Sequence, residues 1–205
     1  YHFRLFAVTP FGKRSTRSVD HLDYLVGGKD GPVVPVAGLA VQLAPGGWEA
    51  SWGTPTFPDY GVTELRLGLS VQTWDNLPTL FKGKANKHLF SYLTAGTYLL
   101  RAKHLDTSDN YSTAASALEM IIAPPAMPMV SGHVNFDGPY LFWQDCMPSR
   151  PIKAYHVYLG PAFEGATSLG GTVDTKFFLT SQEPGIRRYW VQAEDHAGNL
   201  GAPSY

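Results

Sequence analysis

Residues 96–110 read Gly96-Thr97-Tyr98-Leu99-Leu100-Arg101-Ala102-Lys103-His104-Leu105-Asp106-Thr107-Ser108-Asp109-Asn110. Residues 185–199 read Gly185-Ile186-Arg187-Arg188-Tyr189-Trp190-Val191-Gln192-Ala193-Glu194-Asp195-His196-Ala197-Gly198-Asn199. In both, a glycine opens an alternating apolar run that closes on Asp, and Asn follows four residues later. The paired Gly, Asp and Asn positions are each 89 apart. Period-two alternation bounded by turn residues is the signature of a half-buried strand. A recurrence near ninety residues is the size of a whole sandwich domain, far longer than a solenoid repeat.

Upstream landmarks keep the same register. Trp52 and Trp143 are 91 apart, and Leu65 to Leu69 lies over Tyr155 to Leu159 at an offset of 90. The drift of one or two residues is what changes in loop length produce. Phe3 to Thr9 lies over Tyr189 to Asp195, and Gly12 falls on Gly198, both at an offset of 186. The first thirty residues therefore read as the last two strands of an earlier copy, entered in mid-strand. The expected organisation is a partial module with its linker over 1–30, then complete modules over 31–122 and 123–205.

Two linkers divide the copies: Gly27-Gly28-Lys29-Asp30-Gly31-Pro32 and Ala123-Pro124-Pro125-Ala126-Met127-Pro128. Proline excludes helix and keeps the chain extended, so both read as short semi-rigid spacers, the glycine-rich one the more flexible. Ser112 to Ala123, with four alanines, favours helix on propensity. The repeat places it after the last hairpin, so it is expected to be the closing strand. The expected core comprises Trp52, Leu67 and Tyr98 in one module and Trp143, Val157 and Tyr189 in the other.

Composition agrees with an all-β reading. Aromatics are 13 % and charged residues 16 %, with 21 glycines and 16 prolines, which suits many short strands joined by turns. The net charge is −1 and the basic residues are scattered, so no electrostatic footprint for nucleic acid is present. No apolar run reaches the length of a membrane-spanning helix. Cys146 is the only cysteine, so the chain has no internal disulfide and is expected to assemble in a reducing cytoplasm.

The pattern of Trp52, then the alternating strand Leu65 to Leu69, then Gly96-Thr97-Tyr98 resembles fibronectin type III modules, which implies tandem immunoglobulin-like β-sandwiches. Tyr98 then resembles the tyrosine corner, in which the hydroxyl caps nearby backbone. In the second module Arg187 occupies the equivalent place, with Tyr189 as the compensating ring. A narrower similarity lies in Val26 to Pro32 with Val36-Ala37-Gly38-Leu39, and in Glu64-Leu65-Arg66-Leu67-Gly68, Trp74-Asp75, Lys103 and Asp106 to Ser112. These stretches are similar to modules of the phage tail tip attachment, or host-specificity protein J, family. That family's loop usually reads Asp-x-x-Gly-Asn, as Asp195 to Asn199 does; Asp109 replaces the glycine in the first copy and puts its turn type in question. The resemblance implies a virion protein of the tail tip or central fibre. It would be assembled in the host cytoplasm and homotrimeric among other tail-tip proteins, and it would contribute to contact with a host surface receptor.

Asp106, Asp109 and Asn110 lack the further spaced carboxylates of a calcium loop and read instead as side chains bonding their own turn. The seven histidines show no pair at ligand spacing, and His104 is expected to be half-buried at a strand end. No serine has a nucleophile-elbow context, Cys146 reads as a packed thiol, and no glycine-rich loop opens a helix to cradle phosphate. No catalytic residue, cofactor or metal site is therefore expected. Trp74, Phe81 and Tyr92 are candidate partner contacts, with a core role the stronger reading. The alternative function is a fibronectin-type spacer or adhesion module of a secreted or surface bacterial enzyme or adhesin.

Overall fold

The computed structural model describes residues 3–21, 32–57, 59–135, 138–146, 151–180 and 185–205. Every regular element among them is a β-strand, apart from one turn of 3-10 helix at Trp74–Asn76. The chain is all-β.

Strands β1 (Phe3–Val8) and β2 (Arg14–His21) form an antiparallel hairpin on their own. Leu5 and Val8 stay exposed on it. The glycine-rich joint expected at Gly27–Pro32 lies outside the described residues except for Pro32.

The next seven strands make a sandwich. β3 (Ala40–Ala44), β4 (Gly47–Ser51) and β7 (Lys87–Phe90) form one sheet in the order β3-β4-β7. β5 (Tyr60–Leu69), β6 (Thr79–Gly83), β8 (Gly96–Asp106) and β9 (Ser116–Ile122) form the other in the order β6-β5-β8-β9. Three strands facing four in this order is the fibronectin type III arrangement. Trp52 and Leu65, with Ala50 and Phe90 from the small sheet and Leu100, Ala102 and Met120 from the large one, fill the space between. Gly47 ends the β3–β4 turn against the Phe90 carbonyl, where any Cβ would collide with backbone. The alanine-rich segment is the closing strand: β9 pairs with β8 from Gly96↔Ile122 to Ala102↔Ser116. Cross-strand pairing and burial of Met120 and Ile122 override its helix propensity.

The last six strands repeat the plan. β10 (Val130–Asn135), β11 (Gly138–Trp143) and β14 (Lys176–Phe178) face β12 (Ile152–Leu159), β13 (Thr167–Thr172) and β15 (Tyr189–Asp195). Beside β15 runs an irregular segment joined by the bridges Glu194↔Leu200 and Val191↔Ser204. Its core is Leu141, Trp143, Tyr155, Val157, Val191 and Ala193. The connection between the sandwiches, expected to be a short semi-rigid spacer, is packed at two of its prolines, while Ala123, Pro124, Ala126 and Met127 are exposed. Pro125 and Pro128 are buried, and a Cβ on Gly201 would stand 2.6 Å from the Pro125 carbonyl oxygen.

Trp52 and Trp143 hold equivalent places, each 4 % exposed. The indole N–H of each is buried with no hydrogen-bond partner among the described residues. Val157 is fully buried, while Leu67, Tyr98 and Tyr189 are half-buried at the margins of the two cores.

Candidate functional site

Three kinds of place concentrate the polar chemistry of the described residues: the two Asp-to-Asn loops, the outer faces of the β6-β5-β8-β9 and β13-β12-β15 sheets, and the joint between sandwiches.

The loops are built alike. Asp106 Oδ1 accepts from the backbone N–H groups of Ser108 and Asn110, at 2.7 and 2.9 Å, while Oδ2 accepts from Asn110 Nδ2 at 2.8 Å. Asp195 Oδ1 accepts from the N–H groups of Ala197 and Asn199, at 2.9 and 3.0 Å, and Oδ2 accepts from Asn199 Nδ2 at 2.8 Å. Each carboxylate is thus turned onto its own turn. The glycine replacement leaves the turn intact: Asp109 has φ 65° and Gly198 has φ 82°, both left-handed. Asp is among the few side chains that tolerate this region. No group of three or more His, Cys, Asp or Glu side chains gathers as a metal set among the described residues.

On the outer face of the first large sheet, Glu64 of β5 is only 2 % exposed. Its carboxylate accepts from Tyr111 Oη at 2.6 Å, Arg66 Nε at 2.6 Å and Thr79 Oγ1 at 3.0 Å, and Lys82 Nζ stands 3.9 Å away. Burial pushes this carboxyl up, but the hydrogen bonds from Tyr111, Arg66 and Thr79 and the Arg66 charge outweigh it, so it sits below the usual range. Arg66 also donates to the Trp74 carbonyl at 2.9 Å, with its guanidinium 4.6 Å from the Trp74 ring. Tyr111 meets that ring edge-on at 5.9 Å. Trp74, a candidate partner contact, is 9 % exposed and packs on Arg66 and Tyr111, two of the donors to the carboxylate. The loop that carries Trp74 supplies apolar surface that a bare sheet face would lack.

Phe81, the second candidate, packs on Trp52 at 5.6 Å and His88 at 4.8 Å, inside its own sandwich. His104 is more deeply placed than expected, 2 % exposed, with Nδ1 2.9 Å from Thr63 Oγ1 and Phe57 and Tyr60 against its ring. Burial lowers its proton affinity. Tyr98 departs from the tyrosine corner: its hydroxyl bonds the Thr94 hydroxyl at 2.8 Å, where backbone was expected.

The corresponding β13-β12-β15 sheet of the second sandwich has no comparable cover among the described residues. Glu194 pairs with Lys153 and His156, each at 2.7 Å, and the bond from Lys153, then that from His156, holds its carboxyl below the usual range. Beside it runs a row of rings, Tyr158, Phe163, Trp190 and Tyr205, at successive centroid separations of 5.2, 6.1 and 4.9 Å. An open groove of about 500 Å³ borders the row, lined by Leu159, Gly160, Pro161 and residues 186–188. Cys146 is half-buried 3.8 Å from the Tyr155 hydroxyl, and burial raises its thiol above the ordinary value, which disfavours the nucleophilic thiolate.

Tyr92, the third candidate, stacks on His196 of the second sandwich at 5.4 Å. Beside the stack, Asn199 Oδ1 accepts from the Ala95 N–H at 2.6 Å and Asn199 Nδ2 donates to the Leu93 carbonyl at 3.2 Å. The sequence marked Asn199 only as a turn residue, and its second role carries no local signal. The burial of Glu64 was likewise hidden, because its donors arrive from up to 47 positions away.

Strand order and core together define a tandem of fibronectin type III-like β-sandwiches. No family model matches the chain, and no curated protein matches it. Among solved structures, the chain is similar to the spore cortex lytic enzyme SleM of Clostridium perfringens, at 15 % identity over 44 % of this chain, with TM-score 0.35. The match spans 29 % of that structure's length. It is also similar to the FN1–FN3 domains of chicken CNTN1, at 11 % identity over 100 % of this chain and 75 % of that one, with TM-score 0.34. The chicken interferon gamma receptor alpha chain matches at 14 % identity over 83 % of this chain and 94 % of that one, with TM-score 0.38. The fold assignment rests on the chain's own strand order, which these likenesses accompany.

Proposed function

We propose that this chain is a non-catalytic structural or adhesive module of a phage tail tip or central fibre protein, acting in tail-tip architecture and host attachment. The observation that carries this reading is that its chemistry-bearing side chains are committed to structure. Glu64, Asp106, Asp195 and His104 each hold a turn or a sheet face in place. The sequence similarity of these loops and joints to tail-tip modules supplies the setting, and fold by itself does not decide function. In this reading the chain works as spacer and scaffold in a homotrimer with other tail-tip proteins, facing a host receptor. Each sandwich has its own core, so trimer contacts come chiefly from other parts of the assembly.

Gold-labelled antibodies against the chain, applied to tailed particles, test the proposal. Labelling confined to the tail tip is expected, together with a trimeric mass for the native parent protein by light scattering. Labelling of a secreted or cell-surface bacterial protein, with bare particles, would overturn it in favour of an enzyme or adhesin spacer.

A further inference from the structure

We infer that the Asp195–Asn199 loop is a latch that fixes the mutual angle of the two sandwiches, with Asn199 as the gripping side chain. The inference is independent of where the chain works. A side-chain amide carries two N–H donors and an oxygen that can accept. One Nδ2 hydrogen goes to Asp195 Oδ2 within the loop and the other to the Leu93 carbonyl of the first sandwich, while Oδ1 takes the Ala95 N–H. Both donors and one lone pair of the oxygen are used, and two of these three bonds cross the joint. Asn199 is buried at that point, so water does not compete freely for its bonds.

The partner is backbone. Leu93 and Ala95 lie in the turn that leads into β8, and a carbonyl and an amide two residues apart present the complement of a primary amide. Because Asp195 orients the amide before it reaches across, little side-chain entropy is lost on docking. The His196–Tyr92 stack lies beside it and resists rotation about the same contact. The start of the connecting segment is held against the second sandwich, where Gly201 closes on Pro125.

The first sandwich contains the control. Asn110 makes the same bond to Asp106 Oδ2 but is exposed. Losing the Asn110 amide removes the loop bond alone, and losing the Asn199 amide removes the loop bond and the grip.

The test is a distance distribution between spin labels on the full 205-residue chain. Labels replace the exposed Val71 and Val173, one on each sandwich, in a Cys146→Ser background. The parent is expected to give one narrow distance. Asn199→Ala should broaden it at least twofold, while Asn110→Ala should leave the width unchanged. A narrow distribution in Asn199→Ala, or equal broadening in both variants, would overturn the latch. Amide exchange at Ala95 gives a readout that needs no labels: the amide should exchange at least tenfold faster in Asn199→Ala than in Asn110→Ala. Equal exchange would overturn the proposal. If Asn199→Ala fails to fold, Asn199→Ser keeps the site neutral and polar but is too short to reach Leu93 and Ala95. It should broaden the distance as alanine does, and parent-like width would overturn the grip.

Discussion

The two sandwiches share strand order and a core tryptophan but treat the outer face of the large sheet in opposite ways. The first buries a carboxylate there, gives it three hydrogen-bond donors and packs Trp74 on two of them. The second leaves an ion pair and a row of rings at the surface. The sandwich plan fixes which residues face inward and leaves the outward face free to vary. In the first module that freedom is used for a buried polar network, which is stable only while every member is paired. In the second the polar groups remain near water, where each counts for less.

The largest expected effect lies in what the two halves share. Trp52→Ala and Trp143→Ala should each cost about 3–5 kcal/mol in denaturant unfolding, since each ring fills the centre of its core. A loss below about 1 kcal/mol at either site would break their equivalence. Phenylalanine at either position should cost much less than alanine, because the buried indole N–H has no partner to lose.

The difference between the halves appears next. Glu64→Gln should destabilise the first sandwich by about 2 kcal/mol, as it weakens charge-assisted bonds from Arg66 and Tyr111 in a covered site. Glu194→Gln should cost under about 1 kcal/mol, because its partners Lys153 and His156 are substantially exposed. Equal costs, read from separate unfolding transitions, would erase the contrast drawn between the faces.

Acid should separate the halves further. His104 has a folded proton affinity below its ordinary value of 6.5. The unfolded chain therefore takes up that proton first, and stability falls as pH drops from about 6.5 toward the folded value. Glu64 also titrates below its ordinary 4.5 in the folded state. Its contribution is complete above that value and is lost as pH falls through the folded one. The first sandwich should thus lose stability in two stages, and His104→Gln should remove the upper stage. An unchanged profile in that variant would assign the upper stage elsewhere.

The smallest effect tests the loops. Asp109→Gly should stabilise the first sandwich by up to about 1 kcal/mol, because glycine adopts the left-handed backbone without a Cβ penalty. Gly198→Ala should destabilise the second by a similar amount. Opposite signs at these matched positions, measured by thermal unfolding, are the expected result.

These contrasts also mark what the sequence could carry. Strand identity was legible because burial writes a two-residue period into Leu65 to Leu69 and Tyr189 to Ala193, and the repeat placed the alanine-rich strand against its own propensity. The loops were legible because Asp and Asn act on backbone within four residues. Glu64 was not, since it reads as an outward polar residue until Trp74 and Tyr111 arrive from elsewhere in the fold. The bonds of Asn199 to Leu93 and Ala95 span more than a hundred positions and depend on how one sandwich meets the next.

The buried prolines of the connecting segment have a mechanical consequence. A free linker of six residues, drawn taut, would let its ends part by about 20 Å before any load reached a sheet. Here Pro125 and Pro128 are already packed, and Gly201 leaves no room above Pro125. Tension or torque applied to one sandwich is therefore expected to reach the next with less slack than a free linker would leave, so that a pull at one end is felt sooner at the other.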